Sequence, residues 1–400
     1  MFLRDTLLSI LQDQRPLAVP EPEVTRELVV SIPARSSQAI ALKGVRRCGK
    51  SVLEAQLMRR SESAIYCNLE DTRLFGLSPQ DFPTVLSIVA ELGGGAAPVF
   101  LDEVQEVEEW ERLVRSLLDR GRTVYVTGSN ASLLGRELGS KLTGRHLSFE
   151  VFPFGYREYL AFTGRKARHA SLLAYLDDGG FPGYLRERSP ATLQELLRDI
   201  VQRDIALRHG LRETRHVMNL ALFLLANTGQ PFSLQHLAKS LAIPAVAQTA
   251  RYLEYLQDAY LVFSVPKFSP SFKQRVVAPN KYYAIDNGFR RVNSPHAAPD
   301  RGHRLENLVF LALRRQEAGV CYAGERNQWE CDFLTETQAI QVCAELTPYN
   351  RQREVEGVVR ACRLPGQRQA LILTLNQSDR LKELGTTVVV RPVWEWLLDD

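Results

Sequence analysis

The segment GVRRCGKS at residues 44–51 constrains the fold of this chain more than any other feature. The residues AIALKG before it have the pattern of a buried strand, and the apolar residues of SVLEAQLMRR after it recur at helical spacing. Two glycines, Gly44 and Gly49, let a loop between strand and helix curl so that backbone N–H groups face a phosphate. The pattern therefore predicts a phosphate-binding loop, with an ordinary glycine turn as the alternative.

The residues after the second glycine suit a bound nucleotide. Lys50 can reach the β- and γ-phosphates, and the hydroxyl of Ser51 can ligate magnesium. The predicted nucleotide contacts come from six residues, Gly44, Cys48, Gly49, Lys50, Ser51 and Val52.

A second motif, APVFLDEVQ, places two acids at the end of a predicted strand. Hydrolysis of a nucleotide needs an acid near the magnesium ion and a group that orients the attacking water. Asp102 fits the first role and Glu103 the second. The alternative is a pair of strand-end carboxylates on a solvated loop.

Two further apolar stretches complete a predicted parallel sheet of the doubly wound α/β class. SAIYCNL lies between the loop and the acids, and TVYVTGSN follows them. The second stretch ends in Ser129 and Asn130, a polar pair suited to sensing the γ-phosphate or aligning the water. We predict a catalytic role for Asn130, with a helix N-cap as the alternative.

Composition excludes several classes of protein. A chain of 400 residues with 45% hydrophobic and 24% charged residues is typical of a globular multidomain protein. Its net charge of +4 means that any nucleic-acid contact must come from a local basic patch. Six scattered cysteines without a C-x-x-C pair favour a reducing cytoplasm and no zinc site. No run approaches ~18 apolar residues, so we expect no signal peptide and no membrane contact.

With these motifs the chain resembles the AAA+ ATPases of the bacterial and archaeal branch that carries a nuclease-like C-terminal domain. GVRRCGKS, VFLDEVQ, VTGSNASLLGRELGSKLTGRH and FPFGYREYL carry the resemblance. It covers nearly the whole chain and is strongest over residues 36–165. It implies Mg-dependent hydrolysis, with ATP and Mg²⁺ as the cofactors.

The resemblance also implies an arginine finger that acts on the ATP of a neighbouring subunit. Arg145, or failing it Arg136, takes this role, because a planar guanidinium spreads its charge over the phosphoryl oxygens. A surface arginine paired with a local acid is the alternative. A finger in trans implies a homo-oligomer, such as a ring of six.

Residues 206–285 contain two apolar-periodic helices, a tight turn between them and two following strands, which predicts a winged helix-turn-helix. Between residues 203 and 281, ten Lys and Arg residues stand against four acids, a surplus of six that suits phosphate contacts. The second helix offers little for reading bases; its outward residues are predicted to be Gln248, Arg251, Glu254 and Gln257. The wing, with Lys267, Lys273 and Arg275, is the better DNA contact, and a packing or subunit role is the alternative.

The last segment is similar to the restriction-endonuclease fold. Asp332 matches its first acid, and Glu306 matches the helix acid before it. Where an active nuclease has an acid and a lysine, this chain has Gln341 and Cys343, so we predict a binding or scaffolding domain without cleavage. Glu345 compensates only if it projects inward.

These interpretations divide the chain into five predicted segments. They are a helical segment at 1–35, an ATPase core at 36–165, a helical lid at 166–205, the winged helix at 206–285 and the nuclease-like domain at 286–400. The leading hypothesis is a cytoplasmic ATP hydrolase that couples its cycle to binding or remodelling DNA. The alternatives are an ATP-controlled switch that assembles with a protein client, and an ATP-dependent nuclease.

Overall fold

The computed structural model describes most of the chain, and its residues fall into two compact units, Met1–Phe152 and Pro153–Asp400. We call these the N-terminal unit and the C-terminal unit. The described residues are 2–14, 24–61, 63–94, 97–128, 144–294, 300–316, 319–325, 328–366 and 368–399.

The N-terminal unit is built on a five-stranded sheet in the order β2-β3-β4-β1-β5. Every neighbouring pair of strands is parallel, which confirms the prediction of an α/β chain with a parallel sheet. The strands are β1 Ala39–Lys43, β2 Ile65–Asn68, β3 Val99–Asp102, β4 Val124–Gly128 and β5 His146–Glu150. All residues of β1, β3 and β4 are buried, as expected for the centre of a parallel sheet.

Helices alternate with these strands along the chain. They are α1 Arg4–Asp13, α2 Leu28–Ser31, α3 Lys50–Met58, α4 Phe82–Gly93 and α5 Trp110–Asp119. Residues of α1, α4 and α5 share one hydrophobic core with the strands. In α5 the buried residues Leu113, Val114 and Leu117 alternate at helical spacing with exposed arginines. Leu7 and Ile10 of α1 belong to the same core cluster as the strands, so this helix is part of the N-terminal unit.

The C-terminal unit begins with helices and continues into a small three-stranded sheet. The first helices are α6 Tyr156–Thr163, α7 His169–Asp178, α8 Pro182–Glu187 and α9 Pro190–Asp199, followed by a π-helical turn at Ile200–Leu207. Next come α10 Arg215–Ala226, β6 Pro231–Phe232, α11 Leu234–Ser240, α12 Val246–Asp258, β7 Val262–Val265, α13 Phe272–Val277 and β8 Asn280–Ala284. The sheet has the order β6-β8-β7 and is antiparallel.

One expectation for this region is wrong. Gln248 and Gln257 of α12 are half-buried. Gln248 donates to the hydroxyl of Tyr252 (2.5 Å), and Gln257 accepts from the hydroxyl of Ser264 (2.6 Å), so both side chains lie against the protein. Of the four residues predicted to point outward from this helix, Arg251 and Glu254 are exposed.

The rest of the C-terminal unit is a mixed six-stranded sheet with helices. Its elements are α14 Asn287–Asn293, α15 Arg301–Arg315, β9 Cys321–Glu325, β10 Trp329–Leu334, β11 Gln338–Val342, α16 Arg351–Cys362, β12 Gln369–Thr374, β13 Asp379–Glu383, β14 Thr386–Pro392 and α17 Val393–Trp396. The order is β13-β14-β12-β11-β10-β9, in which β11, β12 and β14 run parallel and the other neighbours antiparallel.

Helix α15 is more deeply buried than its sequence pattern indicates. Leu305, Leu308, Val309 and Leu313 fall on one face, yet every residue from 305 to 313 is buried. Within the described part of the chain, no helix is both long and apolar enough to cross a membrane.

Candidate functional site

The loop that follows β1 has two glycines that the structure requires for different reasons. A Cβ on Gly44 would lie 2.1 Å from the carbonyl oxygen of Val151, so only glycine fits there. Gly49 has φ +99°, a left-handed conformation that glycine adopts without strain, and it immediately precedes α3. The backbone N–H groups at the start of α3 are therefore available to an anion.

Lys50 is buried inside this loop. Its Nζ donates hydrogen bonds to the main-chain carbonyls of Gly44 (3.1 Å) and Val45 (3.3 Å). Ser51 is exposed and Val52 is half-buried. Cys48 is fully buried, and this burial raises the pKa of its thiol. Its main-chain N–H donates to the carbonyl of Val45 (3.3 Å), so the structure does not present Cys48 to a nucleotide.

Arg26 braces the loop from behind, which the sequence analysis missed. Its guanidinium donates to the carbonyls of Cys48 (2.9 Å) and Phe152 (2.6 Å). Its main-chain N–H donates to the side chain of Gln56 (2.9 Å), which in turn donates to the carbonyl of Val24 (2.9 Å). No motif signals this brace, because it depends on which carbonyls the fold brings near residue 26.

Asp102 ends β3 and is held by residues of the two neighbouring strands. The hydroxyl of Tyr66 in β2 donates to one carboxylate oxygen (2.8 Å), and the hydroxyl of Thr127 in β4 donates to the other. Burial, with the charge of Asp102 second, raises the pKa of Tyr66 well above its usual value, so this hydroxyl stays a donor. The carboxylate is thereby fixed at the carboxyl edge of the sheet.

Glu103 is half-buried and lies next to Asp102 in an uncommon backbone conformation, with φ +53°. Its main-chain N–H donates to the hydroxyl of Thr127 (3.0 Å), and its carboxylate accepts from the side-chain amide of Gln105 (2.5 Å). Positive φ outside glycine is concentrated at functional sites, where surrounding bonds hold the residue in place.

A third acid, Glu54 of α3, was not predicted from the sequence. It is fully buried, and neither carboxyl oxygen has a hydrogen-bond partner among the described residues. Burial, followed by the charges of Asp102 and Glu103, raises the pKa of Glu54 well above its usual value. We call Glu54, Asp102 and Glu103 the loop acids.

The other predicted catalytic residues are placed only in part. Ser129, Asn130 and Arg136 lie outside the described residues. Arg145 is exposed and forms an ion pair with Asp119 at 2.8 Å, which is the local pairing considered as its alternative role.

The loop and Asp102 fit a magnesium-bound nucleotide. No described group of three or more His, Cys, Asp or Glu residues is arranged to hold a metal by itself. Magnesium does not require such a group, since it keeps several waters and takes one or two protein oxygens beside the phosphates. Ser51 and Asp102 are candidates for those oxygens, and the first N–H groups of α3, which no side chain caps, suit the phosphates.

A second group of charges lies in the C-terminal unit around Lys281 of β8. The ammonium is buried and bonds to three carboxylates, those of Glu306 (3.0 Å), Asp332 (2.9 Å) and Glu330 (2.5 Å). Burial alone would lower the pKa of Lys281, but Asp332 and Glu306 outweigh it and hold this pKa well above its usual value. We call these four residues the Lys281 cluster.

Glu306 has a further hydrogen-bond partner beside Lys281. It also accepts a hydrogen bond from the hydroxyl of Tyr283 (2.6 Å). Burial, and next the charge of Asp332, raises the pKa of Glu306 to about 7. A lysine of β8 thus bonds to the predicted acids Glu306 and Asp332, which sequence spacing gave no reason to expect.

Gln341 serves as both acceptor and donor beside this cluster. Its side-chain oxygen accepts from the main-chain N–H of Asp332 (3.2 Å), and its amide donates to the buried carboxylate of Glu354 (2.8 Å). A glutamate could not donate the second bond. Cys343 is buried and Glu345 is exposed, so Glu345 does not compensate for the missing acid.

Comparison with known proteins assigns two successive segments of the chain to family models. Residues 36–160 match the family model described as an AAA domain, and residues 170–295 match a domain of unknown function. The uncharacterized protein MJ1544 of Methanocaldococcus jannaschii is 29% identical over 422 residues, covering 97% of this chain and 94% of that protein. An uncharacterized protein of Haemophilus influenzae is 30% identical over 329 residues, covering 76% of this chain and 82% of its own length.

The fold, the loop and the domain match define a protein with an AAA-type P-loop ATPase domain in its N-terminal unit. The chain belongs to the same family as the Haemophilus influenzae protein.

Proposed function

We propose that the protein is a magnesium-dependent ATP hydrolase whose cycle is coupled to nucleic-acid binding. The observation that carries the hydrolase is the arrangement at one edge of the parallel sheet. The loop follows β1, Asp102 ends β3, and β4 lies between these strands in the sheet. In parallel α/β sheets, ligands bind at this carboxyl edge.

Each residue of the edge has a proposed task. Lys50 exchanges its bonds to the loop carbonyls for bonds to the β- and γ-phosphate oxygens. Ser51 and Asp102 hold the magnesium ion, which supplies positive charge that offsets the negative phosphoryl oxygens. Glu103 orients the attacking water and accepts its proton, while Gln105 holds the glutamate side chain in place. Asn130 is proposed to align the same water.

Arg145 is proposed to act as the finger in a homo-oligomer, where it would leave Asp119 for the ATP of a neighbour. An exposed ion pair of this kind contributes about 0–1 kcal/mol, so breaking it costs little. Arg145→Ala should therefore leave the melting temperature nearly unchanged and lower ATP turnover. Sedimentation with and without ATP would show whether the subunits assemble, as a ring of six or otherwise.

The coupling to nucleic acid is supported by the order of elements from α10 to β8. Three helices and a small antiparallel sheet, with a long connection between β7 and β8, support a winged helix. We propose this fold for residues 206–285. The connection carries Lys273 and Arg275, which are exposed, and the guanidinium of Arg275 lies 5.4 Å from the ring centre of the exposed Phe272. Basic and aromatic side chains together suit nucleic acid.

A second candidate function is an ATP-controlled switch that assembles with a protein client. Phe272, Val276 and Val277 of α13 are all more than two-thirds exposed on the same connection, which favours an apolar partner. Few exposed basic residues on α12 favour it as well. Salt separates the two candidates, because affinity through phosphate contacts falls steeply as salt rises.

The sheet of the C-terminal unit supports a nuclease-like fold without cleavage. Helix α15, strands β9 to β11, helix α16 and strand β12 follow one another, with β11 and β12 parallel across the helix. We propose a restriction-endonuclease-like domain at residues 286–400. In the Lys281 cluster an ammonium already bonds to the acids that would otherwise bind a metal, so we propose binding or scaffolding as the role of this domain.

The test is steady-state ATP hydrolysis with and without double- and single-stranded DNA, at low and raised salt. Glu103→Gln serves as the control for contaminating activity. We expect Glu103-dependent hydrolysis that DNA stimulates at low salt and less at raised salt. Glu103-dependent hydrolysis that ignores DNA at every salt concentration would favour the protein switch. Hydrolysis that Glu103→Gln leaves intact would contradict the proposed site.

A further inference from the structure

Glu54 is a buried acid without a hydrogen-bond donor among the described residues. Its side chain is 0% exposed, and no described residue donates a hydrogen bond to either oxygen. Buried polar groups without a partner are uncommon, because each costs free energy on folding. A chain that keeps such a group in its core therefore has a use for it outside the folded protein's own bonds.

Its position on α3 points to that use. Glu54 follows Lys50 by four residues and Ser51 by three, so it is a neighbour of each along the helix surface. The charges of Asp102 and Glu103, and the opposite charge of Lys50, act on its carboxyl group. Glu54 therefore lies within electrostatic reach of Asp102, one of the two residues proposed to hold magnesium.

The surrounding residues already have hydrogen-bond partners, whereas Glu54 faces the carboxylate of Asp102, which cannot donate to it. The ammonium of Lys50 is bonded to two loop carbonyls. Asp102 accepts from Tyr66 and from the hydroxyl of Thr127. Glu103 accepts from Gln105. The group that is missing is a hydrogen-bond donor with positive charge behind it, which describes a water molecule on a divalent cation.

We propose that Glu54 is a positioning residue for the nucleotide-bound magnesium ion, and that its carboxylate accepts a hydrogen bond from a metal-bound water. The proposal rests on the proposed ATPase function. It explains why the acid is buried without a partner: the donor arrives with the metal and its nucleotide. It also predicts opposite effects of one substitution on the free protein and on the loaded protein.

The experiment measures melting temperature and metal affinity in three variants of the full chain. Glu54→Gln and the apolar Glu54→Met remove the carboxyl, and either suffices if the other fails to fold. Asp81→Asn is the matched control, because Asp81 is equally buried in the N-terminal unit but accepts hydrogen bonds from Phe2 (2.7 Å) and Ser78 (3.1 Å). The probes are ADP alone, ADP with Mg²⁺, and Mn²⁺ titrated against the ADP complex by electron paramagnetic resonance.

For the Glu54 variants we expect a free protein that melts no lower than wild type. We also expect the extra melting shift that Mg²⁺ adds to ADP to shrink, and Mn²⁺ affinity to fall roughly 10- to 100-fold, as for other groups that bond to a metal's ligands. Asp81→Asn should melt lower and keep both metal readouts.

Two results would overturn the proposal and are distinguishable. If wild type shows the Mg²⁺ increment and Glu54→Gln keeps it with unchanged Mn²⁺ affinity, Glu54 is a structural residue and the ATPase site stands. If wild type shows no nucleotide-dependent Mg²⁺ increment at all, the proposed magnesium site fails and the role of Glu54 fails with it.

Discussion

The loop acids and the Lys281 cluster both gather carboxylates around a buried lysine, but the two lysines are used differently. Lys50 gives its hydrogen bonds to two main-chain carbonyls, whereas Lys281 gives its bonds to three carboxylates. In the first arrangement Lys50 is not ion-paired with the acids, so their oxygens stay open to an external cation. In the second an ammonium already bonds to the acids in the place a cation would take, and this difference separates a site prepared for a metal-bound ligand from an internally ion-paired core.

The largest effect is expected where the loop acids do chemistry. Glu103→Gln removes the group that accepts a proton from the attacking water, and such a loss typically lowers turnover by about 10³-fold. Binding of ATP should remain, because the loop is untouched. Single-turnover hydrolysis and a nucleotide-binding measurement on the same preparation check both parts.

The exposed Glu106 of the same turn provides a matched control for that experiment. Glu106→Gln should keep wild-type turnover. A Glu103→Gln protein that hydrolyses ATP at the wild-type rate would show that Glu103 takes no part in the reaction.

Replacing Lys281 should destabilise the C-terminal unit. Lys281→Met leaves buried acids uncompensated, and breaking a buried ion pair in this way costs about 3–5 kcal/mol. The free energy of unfolding, measured with urea, should fall by that amount. Lys273→Met, at an exposed lysine, should change it little. A loss below about 1 kcal/mol for Lys281→Met would show that the acids are not held by this ammonium.

The loop geometry that gives the hydrogen bonds of Lys50 to carbonyls can be disrupted at Gly44. A Cβ there would lie 2.1 Å from the carbonyl oxygen of Val151, so Gly44→Ala must displace one of the two segments. Forced atoms in packed regions typically cost about 1–3 kcal/mol. We expect a lower melting temperature and weaker ATP binding, whereas Gly183→Ala, where an added Cβ meets nothing within 4 Å, should show neither.

A smaller effect should appear in the pH dependence of the Lys281 cluster. The folded protein raises the pKa of Glu306 to about 7, above the ordinary value of 4.5. Between these two values the folded state binds more protons than the unfolded state, so this group stabilises the fold increasingly as pH falls from 7 toward 4.5. At about 1.4 kcal/mol for each pKa unit, its contribution across that interval is at most about 3 kcal/mol.

Glu306→Gln checks the sign of this effect. The amide keeps an oxygen for the hydroxyl of Tyr283 but does not titrate. The difference in unfolding free energy between wild type and variant should shift toward wild type as the pH is lowered from 7 to 5. A difference that is independent of pH would mean that Glu306 does not titrate in this range.

The sequence predicted those features that depend on contiguous residues. The α/β class with a parallel sheet was predicted correctly, because each strand and the following helix show their own periodicity. The loop glycines and the pair Asp102 and Glu103 are likewise adjacent in sequence to the strands that place them. Their functional roles stay predictions, as do those of Asn130 and Arg145.

Residues that depend on tertiary neighbours were beyond sequence reasoning. Lys281 meets Glu306 across 25 positions and Asp332 across 51, so no local spacing relates them. Arg26 and Glu54 are ordinary charged residues in the sequence. They differ from other charged residues by being buried, because the same side chains on a surface would be solvated by water.

The most direct test of the contrast between the two clusters is the number of Mn²⁺ ions bound per chain in the presence of ADP, measured by electron paramagnetic resonance. The account predicts one ion, which Asp102→Asn abolishes and Asp332→Asn retains. Two ions per chain, or one ion that Asp332→Asn abolishes and Asp102→Asn retains, would contradict it.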